Sequence, residues 1–296
     1  MATATDRMFP GKQFISTVLE LLDTKTAMSG SITKRYLMRA AMAGVIVGIF
    51  YTVYYAIVAG FDAIAVGEGN LHVVGKLIGA LVFGWALVFI YYSKSELLTS
   101  NMMITTIGVY YRRASVGKAT VLLGLCLLGN ALGGAFIALI VAFTSLLNGD
   151  TTAAMQEAVD LKLQYVSDGP TGMIDLFLRA VLCNFMINLA MLLVYNGNIK
   201  SDMLKALVMI MSVFVFAFLA FEHSVANTVL FLVHGFSNGL ELPLALLNVA
   251  IALLGNFVGG GILIGLYYAY VNDEGRFLRQ KGDDRGSVAP GPTEAS

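Results

Sequence analysis

The chain has 296 residues, of which 57% are hydrophobic and only 13% are charged, about half the charged share of an average soluble domain. Lysine plus arginine and aspartate plus glutamate number 19 each, so no basic excess indicates a nucleic-acid partner. Cys126 and Cys183 stand inside apolar runs, which excludes a disulfide framework and favours two buried, unreactive thiols. The mean hydropathy of +0.77 predicts an integral membrane protein.

Six apolar runs are long enough to cross a bilayer as helices, which takes about 20 residues each. In chain order they are Ala40–Phe61, Leu77–Tyr111, Ala119–Gly149, Ala180–Ile199, Ala206–Leu240 and Leu242–Asn272. The second and fifth runs are too long for one spanning helix and too short for two, and each carries a glutamate. The sequence therefore predicts an all-α integral membrane protein of six transmembrane helices, with helices 2 and 5 interrupted.

The charges of the connections predict the orientation. Most lysines and arginines precede the first run or lie in the second connection, the fourth connection or the C-terminal tail, whereas the other connections hold only Lys76, Lys162 and Arg179. The positive-inside rule then places both termini in the cytoplasm and makes the chain a multi-pass protein of the inner (cytoplasmic) membrane. The long, mostly acidic connection from Asn148 to Pro170 is expected on the outside.

Two segments flank the predicted bundle. Phe14–Leu22 has apolar residues at helical spacing, which predicts a short helix that either lies on the membrane interface or packs on the base of the bundle. The end of the chain is polar and rich in glycine, proline and charge, which predicts a disordered tail. The expected division is a cytoplasmic segment over 1–35, with an interfacial amphipathic helix, a channel domain over 36–272 and a cytoplasmic tail over 273–296.

An internal repeat divides the membrane domain. Glu96, Asn101 and the GNALGG element at 129–134 recur as Glu222, Asn227 and GNFVGG at 255–260, all with an offset of 126 residues. The repeats, at about 36–149 and 172–272, hold three spans each, so the second copy enters the membrane inverted. This is the plan of many transporters and channels, which place the substrate path at the repeat interface.

The Glu-x4-Asn elements lie where this plan requires broken helices. Polar side chains near the breaks are predicted to bond the freed backbone groups: Ser95, Thr99, Ser100 and Asn101 at the first, Ser224 and Asn227 at the second. A carboxylate at the bilayer centre costs about 2.5–3.5 kcal/mol on insertion scales, so Glu96 and Glu222 are predicted to be structural groups that cap loop N–H groups. The glycine-rich elements predict close helix packing.

The repeat changes chemistry at one informative position, where Leu97 in the first half corresponds to His223 in the second. An ionisable group inside a membrane span indicates function, and imidazole exchanges protons near neutral pH. His72 and His234 fall near the outer ends of their runs and are predicted at the interface or in loops. Three dispersed histidines do not indicate a metal site.

FEHSVAN at 221–227, together with SELLTSN at 95–101, CN at 183–184 and the two glycine-rich elements, closely resembles the formate/nitrite transporter family from about Gly11 to Asn272. The resemblance implies an aquaporin-like fold and a homopentamer with one pore in each subunit. It also implies conduction of small monovalent anions: formate, nitrite, hydrosulfide or small monocarboxylates. Neither a cofactor nor an enzymatic activity is expected.

The resemblance also assigns site residues by motif position. His223 resembles the family's central histidine, Thr99 the threonine that faces it, and Asn184 a polar pore residue. The constrictions correspond to Leu87, Leu97 and Leu98 on the cytoplasmic side and to Phe83 and Phe216 on the outer side. Lys162 is the nearby candidate for the vestibule lysine, although its spacing to Asn184 is several residues too long. Lys94 stands where a small residue, often glycine, is usual.

These features predict passive or proton-coupled transport of small monovalent anions, formate first, with proton exchange at His223 and with nitrite or hydrosulfide as the alternative substrate. Apolar constrictions repel a bare anion and pass a neutral weak acid more readily. A neutral-solute channel of the aquaporin type would need two Asn-Pro-Ala motifs, and the chain has none. A membrane scaffold or enzyme that uses the glutamates and the histidine is the remaining alternative. The expected partners are small anions, protons, membrane lipid and further copies of the chain.

Overall fold

The computed structural model describes residues 8–147 and 149–276, and the regular secondary structure of this part is helical apart from one short antiparallel hairpin, β1 (Ala65–Val66) and β2 (Gly69–Asn70). The helices are α1 (Lys12–Ser31), α2 (Thr33–Asp62), α3 (His72–Tyr92), α4 (Leu98–Tyr110), α5 (Val116–Ala142), α6 (Gly149–Ser167), α7 (Gly169–Tyr195), α8 (Asp202–Phe218), α9 (Ser224–Asn238) and α10 (Leu242–Asn256). The last helix continues with π-type winding over Phe257–Leu266 and ends as α11 (Tyr267–Val271). Most of the predicted disordered tail lies outside the described residues.

Five described helices are long and apolar enough to cross a membrane: α2, α3, α5, α7 and the continuous helix Leu242–Val271. The fifth predicted run consists instead of α8 and α9, with 17 and 15 residues, each shorter than the about 20 residues that a span needs. Large apolar side chains on the long helices, such as Trp85, Phe136 and Leu254, are exposed. Such a surface is stable in lipid rather than in water, so the chain is an integral membrane protein.

Both predicted helix breaks are present, and they have the same shape. They span residues 93–97 and 219–223, and each contains one non-glycine residue with a left-handed backbone, Lys94 at φ 58° and Ala220 at φ 52°. These two residues are related by the 126-residue offset. Because a left-handed conformation costs an ordinary residue about 1–2 kcal/mol, both turns are held by the structure around them.

Equivalent backbone hydrogen bonds close the two turns. Ser95 N–H donates to the Ile90 carbonyl over 3.0 Å, and Phe221 N–H donates to the Phe216 carbonyl over 2.8 Å. Each bond joins residues five positions apart and closes the C-terminal end of the preceding helix. The sequence repeat is therefore matched by a repeat in local structure.

Glycines allow helices to meet backbone to backbone. A Cβ atom added at Gly133 of α5 would lie 1.8 Å from the Ala41 carbonyl oxygen of α2, and one at Gly259 would lie 2.1 Å from the Val181 carbonyl oxygen of α7. No side chain fits in such a space. The close packing predicted for the glycine-rich elements is confirmed.

Gly133→Val is expected to destabilise the bundle by about 3 kcal/mol or more, because α2 and α5 must separate to admit the side chain. Gly124→Val on the same helix is the matched control, since a Cβ atom there would meet no other helix within 4 Å. Thermal unfolding of both purified variants in detergent measures the difference. Equal unfolding temperatures would contradict this close contact between the two helices.

The apolar face of α1 packs on the bundle, which is one of the two alternatives left open by the sequence. Its buried side chains are Phe14, Ile15, Val18 and Leu22. The start of the helix is tied to the end of the chain's last helix, because Gly11 N–H donates to Asn272 Oδ1 over 2.8 Å. The helix is also longer than the predicted segment, since it continues to Ser31.

The connection expected on the outside contains the helix α6, for which no secondary structure was predicted. Its buried residues recur every three or four positions, which is helical spacing: Met155, Val159, Lys162, Leu163 and Val166. This face packs against α2, α7 and α10. The acidic composition of the segment concealed a short amphipathic pattern.

Candidate functional site

Three cavities lie end to end in the bundle and meet at the two helix breaks. The α6 vestibule has a volume of about 140 Å³, the central chamber about 20 Å³ and the α1 vestibule about 220 Å³. Each vestibule is named for the helix that contributes to its wall. Phe83, Phe216 and His223 line both the α6 vestibule and the chamber, whereas Leu87, Ile90 and Leu97 line both the chamber and the α1 vestibule. The cavities therefore form one path with two constrictions.

The first constriction is aromatic. The rings of Phe83 and Phe216 meet edge to face, with centroids 6.3 Å apart and planes at 89°. Tyr51 stacks on the other side of Phe83 at 4.9 Å, which holds that ring in place. Both predicted outer constriction residues thus face each other across the path.

The second constriction is aliphatic and consists of Leu87, Ile90 and Leu97. Ile90 was not predicted from the sequence, although its spacing from Phe83 and Leu87 places all three on one face of α3. Leu98 lines none of the three cavities and is only 2% exposed. Of the three leucines expected on this side, Leu98 alone lies away from the path.

The chamber between the constrictions is small and almost wholly apolar. Its volume of about 20 Å³ has room for about one water molecule. The residues that complete its wall are Val47, Ala86, Ile187, Val213 and Ala226. Among all of its lining residues, His223 is the only ionisable one.

His223 holds a defined position at the start of α9. Its extended backbone, with φ −110° and ψ 112°, lets the ring fold back so that Nδ1 accepts the Ala226 N–H over 3.1 Å. Nε2 lies 3.2 Å from Thr99 Oγ1. Because Nδ1 uses its lone pair as an acceptor, the neutral ring carries its hydrogen on Nε2 and donates it to Thr99.

Asn184 stabilises this arrangement by bonding the backbone of Thr99. It is fully buried, and its Nδ2 donates to the Thr99 carbonyl over 3.2 Å and to the Asn256 carbonyl over 2.7 Å. Asn188 Nδ2 also donates to the Thr99 carbonyl, over 3.1 Å. Asn184 lines none of the three cavities. Thr99 does not line them either, so both residues are linked to the path only through the His223 ring.

The asparagines of the glycine-rich elements bind the helix breaks, a role that was not predicted from the sequence. Asn256 Oδ1 accepts the Ser224 N–H over 2.9 Å, while its Nδ2 donates to the carbonyls of Ala180 and Glu222 over 2.8 and 2.9 Å. One amide side chain thus bonds backbone groups within the break, at the start of α9 and on α7. The available signal was a polar residue repeated inside an apolar span.

Asn130 makes the equivalent bonds at the first break. It accepts the Leu98 N–H over 3.1 Å and donates to the carbonyls of Ala40 and Glu96, both over 2.8 Å. The capping of backbone N–H groups that was predicted for the glutamates belongs instead to the two asparagines. The hydroxyl of Ser224, expected to bond freed backbone, has no hydrogen-bond partner among the described residues.

The carboxylate of Glu96 binds cations. It forms ion pairs with Lys25 of α1 and with Arg39 of α2, the latter at 3.1 Å. Asn101 Nδ2 adds a hydrogen bond of 3.1 Å. The buried carboxylate is therefore neutralised by side chains that come from two other helices, and it does not face the chamber.

Glu222 is neutralised in the same way at the second break. Lys162 Nζ lies 2.8 Å from both of its carboxylate oxygens, and Asn227 Nδ2 donates to Oε2 over 2.5 Å. Lys162 is only 7% exposed, and both ionic groups border the α6 vestibule. The expected vestibule lysine thus lies in a vestibule, but its charge is paired.

The two remaining histidines differ from each other. His72 begins α3 and bonds Asp62 through Nδ1 over 2.8 Å, which agrees with a position at the end of a run. His234 is 1% exposed and lies within α9, and neither ring nitrogen has a hydrogen-bond partner among the described residues, so the predicted alternative of a loop position is wrong. It is buried because α9 continues to Asn238 and packs against α5, α2, α10 and α6. Within 8–147 and 149–276, no three His, Cys, Asp or Glu side chains converge to hold a metal ion.

Comparison with known proteins agrees with this architecture. A profile described as formate/nitrite transporter matches residues 12–270. The nitrite transporter NirC of Escherichia coli strain K12 is 29% identical over 238 residues, which cover 78% of this chain and 81% of NirC. The proteins that this chain resembles are transporters and channels rather than enzymes.

Two solved structures share the fold. An FNT family ion channel superposes with a TM-score of 0.73 at 25% identity, over 87% of this chain and 98% of that one. A pentameric formate channel with formate bound superposes with a TM-score of 0.64 at 21% identity, over 80% of this chain and 96% of that one. With a family profile that covers both helix breaks, both constrictions and the histidine between them, this chain belongs to the formate/nitrite transporter family.

Proposed function

We propose that this protein carries small monovalent anions across the cytoplasmic membrane, either passively or coupled to protons, with formate as the favoured substrate. The observation that carries the proposal is the chamber of about 20 Å³ between two apolar constrictions, with His223 as its only ionisable side chain. A bare anion that leaves its water at such a constriction faces a cost of several kcal/mol. A neutral weak acid of three or four heavy atoms faces much less.

We propose that proton exchange takes place at Nε2 of His223, the ring nitrogen that faces Thr99. To act as an acid, the neutral ring must first take up a proton on Nδ1 from water of the α6 vestibule, which His223 also lines, and this breaks the bond from the Ala226 N–H. The negative charge of an anion that reaches the ring offsets that loss. Nε2 then gives its proton to the anion, which leaves a neutral ring and a neutral acid, and water returns the ring to its resting tautomer.

Nitrite and hydrosulfide are the alternative substrates, because both are also small conjugate bases of weak acids. The 29% identical relative is a nitrite transporter, whereas the structural neighbour with bound ligand is a formate channel. The pair Thr99-Ser100 after two leucines resembles the formate type and favours formate.

We also propose a six-span inverted repeat, with α2 to α5 forming one half and α7 to α11 the other. The equivalent turns at Lys94 and Ala220 and the equivalent bonds of Asn130 and Asn256 support it. The domain then spans 36–272, with the N-terminal segment and the tail on the cytoplasmic side, as the distribution of positive charge favours. A homopentamer surrounded by lipid is consistent with the exposed apolar helix faces and with the pentameric structural neighbour.

Leu97→Ala is expected to relax the size limit, because it opens the aliphatic constriction. In proteoliposomes, flux of acetate and lactate relative to formate should rise by about tenfold or more, since a barrier lowered by about 1.4 kcal/mol gives a tenfold faster rate. Leu98→Ala is the matched control, because the neighbouring leucine is buried away from the path. The wild-type series of formate, nitrite, hydrosulfide, acetate and lactate across pH identifies the substrate. A wild-type protein that passes none of them, or a Leu97→Ala variant with unchanged size selection, would refute the proposed path.

A further inference from the structure

The two vestibules differ in charge. In the wall of the α6 vestibule, two lysines are balanced by two glutamates: Lys76 and Lys162 against Glu157 and Glu222. In the wall of the α1 vestibule, three cations stand against one carboxylate: Lys25, Arg39 and Lys94 against Glu96. The path therefore has one electrically balanced mouth and one with an excess of positive charge.

Lys94 is the cation of the α1 vestibule that lacks a carboxylate partner. Glu96 pairs with both Lys25 and Arg39, whereas no ion pair among the described residues includes Lys94. Its Nζ lies 5.1 Å from the centroid of the Tyr91 ring, and the side chain is exposed at the mouth. A positive charge at this place is free to attract an anion.

The backbone at Lys94 has the strained conformation that Ala220 has at the equivalent turn, but only Lys94 adds a charge there. A left-handed φ of 58° suits glycine and strains lysine. Arg39 Nε donates to the Lys94 carbonyl over 2.6 Å, which helps to hold the turn. A long cationic side chain is thus kept at a position that disfavours any side chain, and strain of this kind is typical of functional sites.

We propose that Lys94 is the centre of a second anion-binding station, in the α1 vestibule, where a small monovalent anion is captured before it reaches the aliphatic constriction. Ser95 lines the same cavity, and its hydroxyl can donate to the anion while it accepts a hydrogen bond from the Ser93 hydroxyl, 2.7 Å away. The inference rests on the proposed transport function for its substrate class. Its location depends only on the charges and the cavity.

A one-sided station has a defined kinetic signature. At low concentration and without a driving force, a passive path has the same permeability in both directions. A binding station at one mouth lowers the half-saturating concentration for flux that starts on that side. Because the permeability must stay equal in both directions, the maximal flux from that side falls by the same factor. Formate flux from the α1 side is expected to saturate at a lower concentration than flux from the α6 side.

Lys94→Gly tests the station without endangering the fold, because glycine removes the charge and also relieves the strained turn. Half-saturation of formate flux from the α1 side should rise about threefold or more, the effect of one unit charge several ångströms away in water. Half-saturation from the α6 side should stay the same. Ala220→Gly relieves the equivalent turn without a change in charge and should alter neither value, and Lys94→Arg should retain the wild-type values.

A second measurement does not depend on transport. Ser95→Cys places a thiol in the α1 vestibule and Ala158→Cys places one in the α6 vestibule, while the native Cys126 and Cys183 are buried. The ratio of modification rates with anionic sulfonatoethyl and neutral methyl methanethiosulfonate reports the local potential. In the Lys94→Gly background the ratio should fall about threefold at Ser95→Cys and stay constant at Ala158→Cys, with weaker effects at high salt.

The two measurements separate the two hypotheses. A wild-type protein without anion flux but with a Lys94-dependent rate ratio would overturn the proposed function and leave the station in place. Normal anion flux with half-saturation and rate ratio both unchanged in Lys94→Gly would overturn the station and leave the function in place. The side from which Ser95→Cys reacts also identifies the α1 face in the vesicles.

Discussion

Replacing His223 by asparagine is expected to give a folded protein that has lost the pH dependence of formate flux. Asparagine is a preferred residue at the start of a helix, so its side-chain oxygen can accept the Ala226 N–H in place of Nδ1. It cannot supply a proton. Formate flux should fall by about 100-fold or more, the effect of a barrier higher by about 3 kcal/mol, and the remainder should be an anion current without pH dependence.

The measurement is formate flux and the accompanying current in liposomes from about pH 5 to 8, the range in which a histidine changes charge. His223→Phe should block flux outright, because the larger ring fills a chamber of about 20 Å³. His234→Asn is the matched control, since this buried histidine of the same helix lines none of the three cavities. Wild-type flux, current and pH profile in His223→Asn would make the histidine a purely structural helix cap.

Lys162→Met is expected to destabilise the protein by about 3–5 kcal/mol, because it leaves the Glu222 carboxylate buried without its cation. The remaining hydrogen bond from Asn227 does not neutralise that charge. The double variant Lys162→Met/Glu222→Gln should regain most of the loss, since both members of the pair are then uncharged. Thermal unfolding of the purified variants in detergent gives the comparison.

Lys76→Met serves as the control for this series. Lys76 lines the same vestibule, is partly exposed and has no ion pair among the described residues, so its replacement should change stability by less than about 0.5 kcal/mol. If Lys162→Met unfolds at the same temperature as Lys76→Met, Glu222 does not depend on its lysine. If the double variant is no more stable than Lys162→Met, the loss arises from the lysine's packing rather than from the unpaired charge.

The membrane class, the positions of the helix breaks and the central histidine could all be predicted from the sequence. Each rests on a local pattern: an apolar run long enough to cross a bilayer, a Glu-x4-Asn element repeated after 126 residues, or an ionisable residue where the other repeat has Leu97. Local patterns suffice here because lipid requires apolar side chains along the whole length of a membrane span. Among the described helices of the bundle, α6 alone was not predicted from the sequence, since its amphipathic pattern is short and acidic.

The partners of the polar residues were decided by the tertiary structure alone. Lys25 and Lys162 neutralise the two glutamates from 71 and 60 residues away, and Thr99 faces His223 across 124 residues. No spacing rule relates groups this far apart, because their distance is set by how the helices cross and not by the chain between them. The same holds for the asparagines of the glycine-rich elements. The sequence shows that they are polar groups in an apolar span, but only close helix packing brings their amides to the unpaired backbone groups at the breaks.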